Sequence, residues 1–146
     1  VAAIWPEPSS PQADPGNRSV EDRAERRQLT VMFCDLVGST MLSVRYDPED
    51  LRQIIMGFQK CCEEAVAGLG GNVARYMGDG LLVYFGYPTA QEDDARRAVW
   101  AGLRIIDGVR KLGIRVPGHG TLRLQVRVGI HTGPVVIGEV GGGAIG

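Results

Sequence analysis

The chain has 146 residues, 44% of them apolar, which suits one ordinary domain, and no run of about eighteen apolar residues that could cross a membrane. Sixteen basic against seventeen acidic residues leave a formal net charge of -1, so the cationic footprint of a general nucleic-acid binder is absent and any phosphate recognition must be local. Fourteen of the basic residues are arginine, with lysine only at Lys60 and Lys111, a skew that points to composition bias and not to a mechanism.

Taken along the chain, the first twenty residues hold Pro6, Pro8, Pro11 and Pro15 among Ser, Gln, Asp and Asn, the composition of a linker without a core of its own. Val1-Ala2-Ala3-Ile4-Trp5 has no basic n-region and stops at Pro6, so no signal peptide is expected. The mixed-charge run Glu21 to Arg27 reads as a short solvated helix or an ordered lead-in. Residues 1–26 are therefore assigned to linker and lead-in, and 27–146 to a folded domain. Leu29 to Leu36 is short, apolar on both faces and rich in strand formers, as a central strand should be, with Asp35 at its end.

Asp47-Pro48-Glu49-Asp50 supplies an N-cap, a proline at the first helical position and acids in the first turn. Leu51, Ile54, Ile55, Phe58, Cys62, Ala65, Val66 and Leu69 then recur at helical spacing until Gly70-Gly71. Asn72 to Tyr76 and Leu81 to Phe85 flank Gly78-Asp79-Gly80, the strongest hairpin signal in the sequence. Thr89-Ala90-Gln91-Glu92 has the form of a capping box, and Ala95, Val99, Leu103, Ile106 and Val109 predict an apolar stripe on a second long helix ending near Gly113. Leu122 to Ile130 alternates apolar and polar residues, a half-buried strand, and His131-Thr132-Gly133-Pro134 predicts a turn into a last strand, Val135 to Val140. The order is β-α-β-β-α-β plus a further strand, an α+β, ferredoxin-like arrangement.

Cys34, Cys61 and Cys62 are odd in number and lack C-x-x-C spacing, so they read as reduced thiols of a cytoplasmic protein. Tyr84, Phe85 and Tyr87 read as strand core, His131 as a turn residue and His119 as loop. Two segments end an apolar run on an aspartate: Val31-Met32-Phe33-Cys34-Asp35 and Arg75-Tyr76-Met77-Gly78-Asp79. A carboxylate at a strand end and another in an adjacent Asp-Gly turn suit hard divalent cations, which prefer oxygen ligands. Gly38-Ser39-Thr40, opening the next helix, offers backbone amides to phosphate, with the backbone favoured over the two hydroxyls.

Phe33-x-Asp35-Leu36-x-Gly38-Ser39-Thr40, then Gly78-Asp79-Gly80, then Val128-Gly129-Ile130-His131-Thr132-Gly133-Pro134-Val135 together resemble the catalytic domain of class III nucleotidyl cyclases, above all the bacterial multidomain adenylate cyclases. The resemblance covers roughly Arg27 to Val140. It implies that Asp35 and Asp79 hold two Mg²⁺ or Mn²⁺ ions, with the Leu36 carbonyl completing one site. It also implies attack of the ribose 3′-hydroxyl on the α-phosphorus to give a cyclic 3′,5′-monophosphate and pyrophosphate, in a homodimer with shared active sites. Gly38, Ser39, Thr40 and Gly78 fall at substrate-contacting positions, and Arg75 stands where the adenylate-specific members carry a lysine directed at adenine N1 in the partner's site. Arginine keeps a positive donor but replaces a compact ammonium with a planar fork.

Family members continue past the position of Gly146 into a strand with a second base-selecting residue and a helix with a transition-state asparagine and arginine, so the C-terminal part of the domain is expected to be missing here. The expected function is an adenylate cyclase acting on ATP, attached to further regulatory domains, without nucleic-acid partners or a membrane span. The alternatives are a guanylate cyclase and a catalytically inactive nucleotide-binding regulatory module. A diguanylate cyclase is excluded by the lack of a Gly-Gly-Asp/Glu-Glu-Phe turn.

Overall fold

The computed structural model describes residues 2–6 and 25–139. Its strands are β1 (Ala2–Pro6), β2 (Glu25–Leu36), β3 (Asn72–Met77), β4 (Gly80–Phe85), β5 (Gly113–Val116), β6 (Gly120–Arg123) and β7 (Val126–Glu139); its helices are α1 (Ser39–Arg45), α2 (Pro48–Gly68) and α3 (Asp94–Lys111). Five strands make one antiparallel sheet in the order β1-β7-β2-β4-β3, and β5 with β6 forms a separate hairpin. Setting aside β1, the short α1 and that hairpin leaves βαββαβ, the ferredoxin-like α+β core that the sequence predicts.

β2 lies at the centre because it has apolar side chains for both faces. Met32, Cys34 and Leu36 point into the layer built by α2 and α3, while Leu29 and Val31 join Leu82, Tyr84, Val135 and Ile137 on the opposite face. α2 starts where its cap dictates: Asp47 Oδ1 accepts from the Asp50 amide at 2.9 Å, with Pro48 in the first turn. Ile54, Phe58, Cys62 and Val66 carry its buried face. Its exit needs glycine twice. Gly70 has φ +74°, and a Cβ on Gly71 would lie 2.6 Å from the Phe85 ring, so the chain turns flat against that ring into β3.

Several elements differ from the sequence reading. α3 begins at Asp94, and the predicted capping box does not form; the buried Asp94 carboxylate instead accepts from the Gln91 amide at 2.8 Å and pairs with Arg97, whose guanidinium also donates to the Leu69 carbonyl at 2.7 Å. The buried face of α3 is Ala98, Ala101, Gly102, Ile105 and Val109, whereas Ala95, Val99, Leu103 and Ile106 are exposed. Small residues let this helix sit close to the sheet: a Cβ on Gly102 would lie 3.2 Å from Val128. Hydrophobic periodicity weights large side chains, and of the stripe it selected Val109 alone is buried.

β7 runs unbroken through His131-Thr132-Gly133-Pro134, where a turn was predicted, because all twelve residues of β2 pair with it. At the centre of that stretch the Thr30 and Thr132 hydroxyls meet across the strands at 2.8 Å. Pro134 is tolerated because β1 pairs only as far as Pro6 with Val135, leaving the next position at an open edge among the described residues. The predicted strand from Leu122 to Ile130 is in turn broken at Leu124-Gln125. Finally, the sheet extends beyond Leu29 to Glu25, and Ala2–Pro6, read as linker, forms the edge strand β1.

Truncating Ile105 to Ala is expected to cost about 2–5 kcal/mol in denaturant unfolding, while Leu103→Ala stays within about 0.5 kcal/mol. The opposite ranking would restore the stripe read from sequence.

Candidate active site

The site is built where β2 ends against the β3–β4 hairpin. Asp35 stands opposite Gly80 in the β2–β4 ladder, and the Leu36 amide donates to the Asp79 carbonyl at 3.1 Å. The turn backbone carrying Asp79 is thereby fastened beside Leu36. The two flanking glycines serve different ends, Gly78 by its backbone angle and Gly80 by close approach. Gly78 takes φ +49°, and a Cβ on Gly80 would fall 2.5 Å from the Cys34 carbonyl oxygen and 3.3 Å from the Asp35 Cα. Any side chain at Gly80 would lift the hairpin off β2.

The face of the sheet away from the helices carries the polar groups. In one cross-strand row, Met77 pairs with Gly80, Gly80 with Asp35 and Asp35 with Arg127; in the next, Arg75 pairs with Leu82, Leu82 with Phe33 and Phe33 with Gly129. A bulge between Val73 and Arg75 resets the alternation of β3, so Tyr76 reaches the helix side and Arg75 the open side. Arg127 donates through Nε to Asp35 Oδ1 at 3.2 Å and through Nη2 to Oδ2 at 3.4 Å. Phe33, Asp35, Met77, Arg127 and Gly129 line a cavity of about 320 Å³. A larger cavity of about 430 Å³, between the end of α3 and the start of β7, has no acidic residue in its lining.

Of the residues expected from sequence, Asp35, Leu36, Gly78 and Asp79 are thus brought together at one corner. Arg75 lies one row away on the same face, exposed and without a hydrogen bond to the described residues. Gly38, at φ +73°, turns the chain into α1, which Ser39 and Thr40 open; neither lines the cavity beside Asp35. The loop is held by the Val37 amide, which donates to the Gln125 carbonyl at 2.9 Å.

Sequence reasoning gave no role to Arg127, Met77 or Gln59, which the structure places at this corner, and quoted Phe33 only as part of a motif. Arg127 was visible only as the polar half of an alternating strand. Gln59, on α2, donates from Nε2 to the Gly78 carbonyl at 3.2 Å, and one turn further the Glu63 carboxylate accepts from the Tyr76 hydroxyl. That acceptor, with a smaller contribution from burial, pushes the Tyr76 phenol up to about 12. Behind Asp35, the buried Cys34 thiol is pulled below its usual range by a hydrogen bond from Cys62, whose own thiol is raised by that bond and by burial. These thiols belong to the core.

The donor set fits a hard divalent cation. Two carboxylates and the peptide oxygens at the end of β2 are all-oxygen ligands, the kind such cations prefer. Mg²⁺ characteristically takes one or two carboxylates and fills its other positions with water and phosphate oxygens. Arg127 does not prevent this. Its pair with Asp35 is solvent-exposed, with side chains 71% and 48% accessible, and such pairs contribute about 0–1 kcal/mol, which a divalent cation readily displaces.

Residues 22–144 match the family model for the adenylate and guanylate cyclase catalytic domain. The chain belongs to that family. Among solved structures, the guanylyl cyclase Cya2 superposes with a TM-score of 0.74 at 36% identity, over 81% of this chain and 60% of that one. The catalytic core of a rhodopsin-guanylyl cyclase with converted specificity, in complex with ATPαS, gives a TM-score of 0.73 at 26% identity, over 81% and 62%. An adenylate cyclase of Anabaena cylindrica is 29% identical over 119 residues, 81% of this chain and 23% of that protein. The chain spans 12% to 23% of the length of the first curated relatives it matches.

Gly80→Ala is expected to weaken Mn²⁺ binding and lower the unfolding midpoint together, since the added methyl meets backbone that cannot rotate away. Gly78→Ala, with open space around its Cβ, is expected to show only the smaller cost of a strained φ, about 1–3 kcal/mol in stability. Calorimetric unfolding and metal titration of both variants check the order.

Proposed function

We propose that this chain is the metal- and nucleotide-binding portion of a cytosolic adenylate cyclase that converts ATP to 3′,5′-cyclic AMP and pyrophosphate. The observation that carries the reading is the union of Asp35, Leu36 and Asp79 at one corner of the sheet, held by the Leu36 amide to Asp79 carbonyl bond. Two Mg²⁺ or Mn²⁺ ions bound there would lower the pKa of the ribose 3′-hydroxyl and neutralise the triphosphate. The 3′-oxygen forms the new bond to the α-phosphorus, the bond from the α-phosphorus to the bridging oxygen breaks, pyrophosphate leaves and the hydroxyl proton passes to solvent.

The remaining roles rest on the resemblance. Asp35 and Asp79 supply the negative charge that holds the cations, and the backbone of Gly38, Ser39 and Thr40 approaches the phosphates without side-chain obstruction. Arg75, free of competing hydrogen bonds, is the purine-facing donor and serves the site of a second copy, so that the working unit is a homodimer. Donors match adenine, whose N1 accepts, better than guanine, whose N1 carries hydrogen. The small share of its relatives that the chain covers supports attachment to further regulatory domains. The 36% identity to the guanylyl cyclase Cya2 favours GTP as the second reading.

The full-length protein with Mn²⁺ is expected to make cyclic AMP faster than cyclic GMP, with specific activity rising with protein concentration as the shared sites assemble. Asp35→Ala is expected to remove turnover, and Arg75→Glu to lower ATP use selectively. Faster turnover of GTP would reassign the purine, and nucleotide binding without any cyclic product would make the chain a regulatory module.

A further inference from the structure

The two residues of the β3–β4 hairpin with separate jobs, Asp79 at its tip and Arg75 within β3, are each braced from the same helix. Gln59 and Glu63 are four residues apart, hence neighbours on one face of α2. Phe58 and Cys62, the residue before each, are fully buried, so the backbone that carries the two braces is anchored in the core. Gln59 donates from its amide to the Gly78 carbonyl at 3.2 Å, one peptide before Asp79. Glu63 accepts from the Tyr76 hydroxyl, one peptide after Arg75. Both bonds are made by the side of the hairpin that faces the helix layer, opposite the polar face, so neither brace obstructs a ligand.

We propose that Gln59 and Glu63 are positioning residues that set the two halves of the site independently: Gln59 places Asp79 and thereby the affinity for the metal, and Glu63, through Tyr76, places Arg75 and thereby the choice of purine. The proposal rests on the cyclase reading above. A glycine-flanked turn has few conformational restraints of its own, and the Leu36 amide fixes only the Asp79 carbonyl. Gln59 restrains the preceding peptide, so the Asp79 backbone, from which the carboxylate projects, is held from both sides. In β3 the bulge sets which of Arg75 and Tyr76 faces the helices, and a shift of one residue would exchange their faces. The Tyr76–Glu63 bond rewards only the register with Arg75 on the polar face. The high phenol pKa means that this bond keeps its proton throughout the physiological range.

The test uses the full-length protein, with Mn²⁺ alone, Mn·ATP and Mn·GTP as probes, free Mn²⁺ followed by electron paramagnetic resonance and stability by calorimetry. Gln59→Glu keeps the shape but turns the donor into an acceptor, and is expected to weaken Mn²⁺ binding about tenfold, the lower end of what supporting residues around a metal contribute, with the ATP:GTP affinity ratio unchanged. Tyr76→Phe and Glu63→Ala are expected to move the ATP:GTP ratio severalfold with Mn²⁺ affinity unchanged, while Glu63→Gln, which retains an acceptor, keeps the wild-type ratio. Wild-type Mn²⁺ affinity in Gln59→Glu, or wild-type ratios in both Tyr76→Phe and Glu63→Ala, overturns the proposal, as does a loss of stability that lowers both quantities in parallel. Absence of cyclic product from the wild-type protein would instead overturn the cyclase reading, and the binding measurements would still decide the roles of Gln59 and Glu63.

Discussion

Everything at the active corner depends on how closely β4 can lie against β2. The contact is backbone on backbone: Gly80 packs on the Cys34 carbonyl and the Asp35 Cα at distances that exclude a methyl group, and the Leu36 amide reaches the Asp79 carbonyl. This closeness fixes a strand end and a hairpin turn in one place through the backbone alone. The helix layer then serves the same purpose from behind. Phe58, Cys62 and Val66 of α2 and Ala98, Ala101 and Ile105 of α3 pack against Met32, Cys34 and Leu36, the face of β2 opposite Asp35. Core packing and site geometry are therefore consequences of one alternating strand.

That strand was legible because its pattern and its punctuation agree. Apolar residues for both faces, an aspartate at the end and a Gly-Asp-Gly turn downstream each have a local physical meaning, and the cap at Asp47-Pro48 and the stop at Gly70-Gly71 bracket α2 correctly. What failed was everything decided by partners far away in the chain. Thr132 and Pro134 look like turn residues, yet twelve consecutive pairs with β2 hold them extended, and one of those pairs is a threonine hydroxyl contact. In α3 the seam includes the small residues Ala98, Ala101 and Gly102, the last in close approach to Val128; hydrophobicity alone favours Val99, Leu103 and Ile106, which are exposed. Close packing selects by volume as well as by polarity.

The candidate site divides in the same manner. Asp35 and Asp79 are marked by a strand end and a Gly-Asp-Gly turn, Leu36 and Gly78 by the resemblance, and the structure places the backbones of all four at one corner. Arg127 and Gln59 carry no such mark: an arginine on the polar side of a strand and a glutamine on a helix are ordinary surface residues until the sheet register puts one opposite Asp35 and the helix packing puts the other against the Gly78 carbonyl. Family membership is settled by the match over residues 22–144, whereas the proposed preference for ATP rests on Arg75, whose fork geometry departs from the lysine that the resemblance implies there.

The central claim is that Asp35 exchanges a guanidinium for a divalent cation shared with Asp79. Crystallography of the full-length protein with Mn²⁺ and a non-cyclisable ATP analogue, using anomalous scattering to locate manganese, tests it directly. The account requires manganese within coordination distance of carboxylate oxygens from both Asp35 and Asp79, with Arg127 released from Asp35. Manganese bound elsewhere, or nucleotide bound with the Arg127–Asp35 pair intact and no metal between the aspartates, would contradict it.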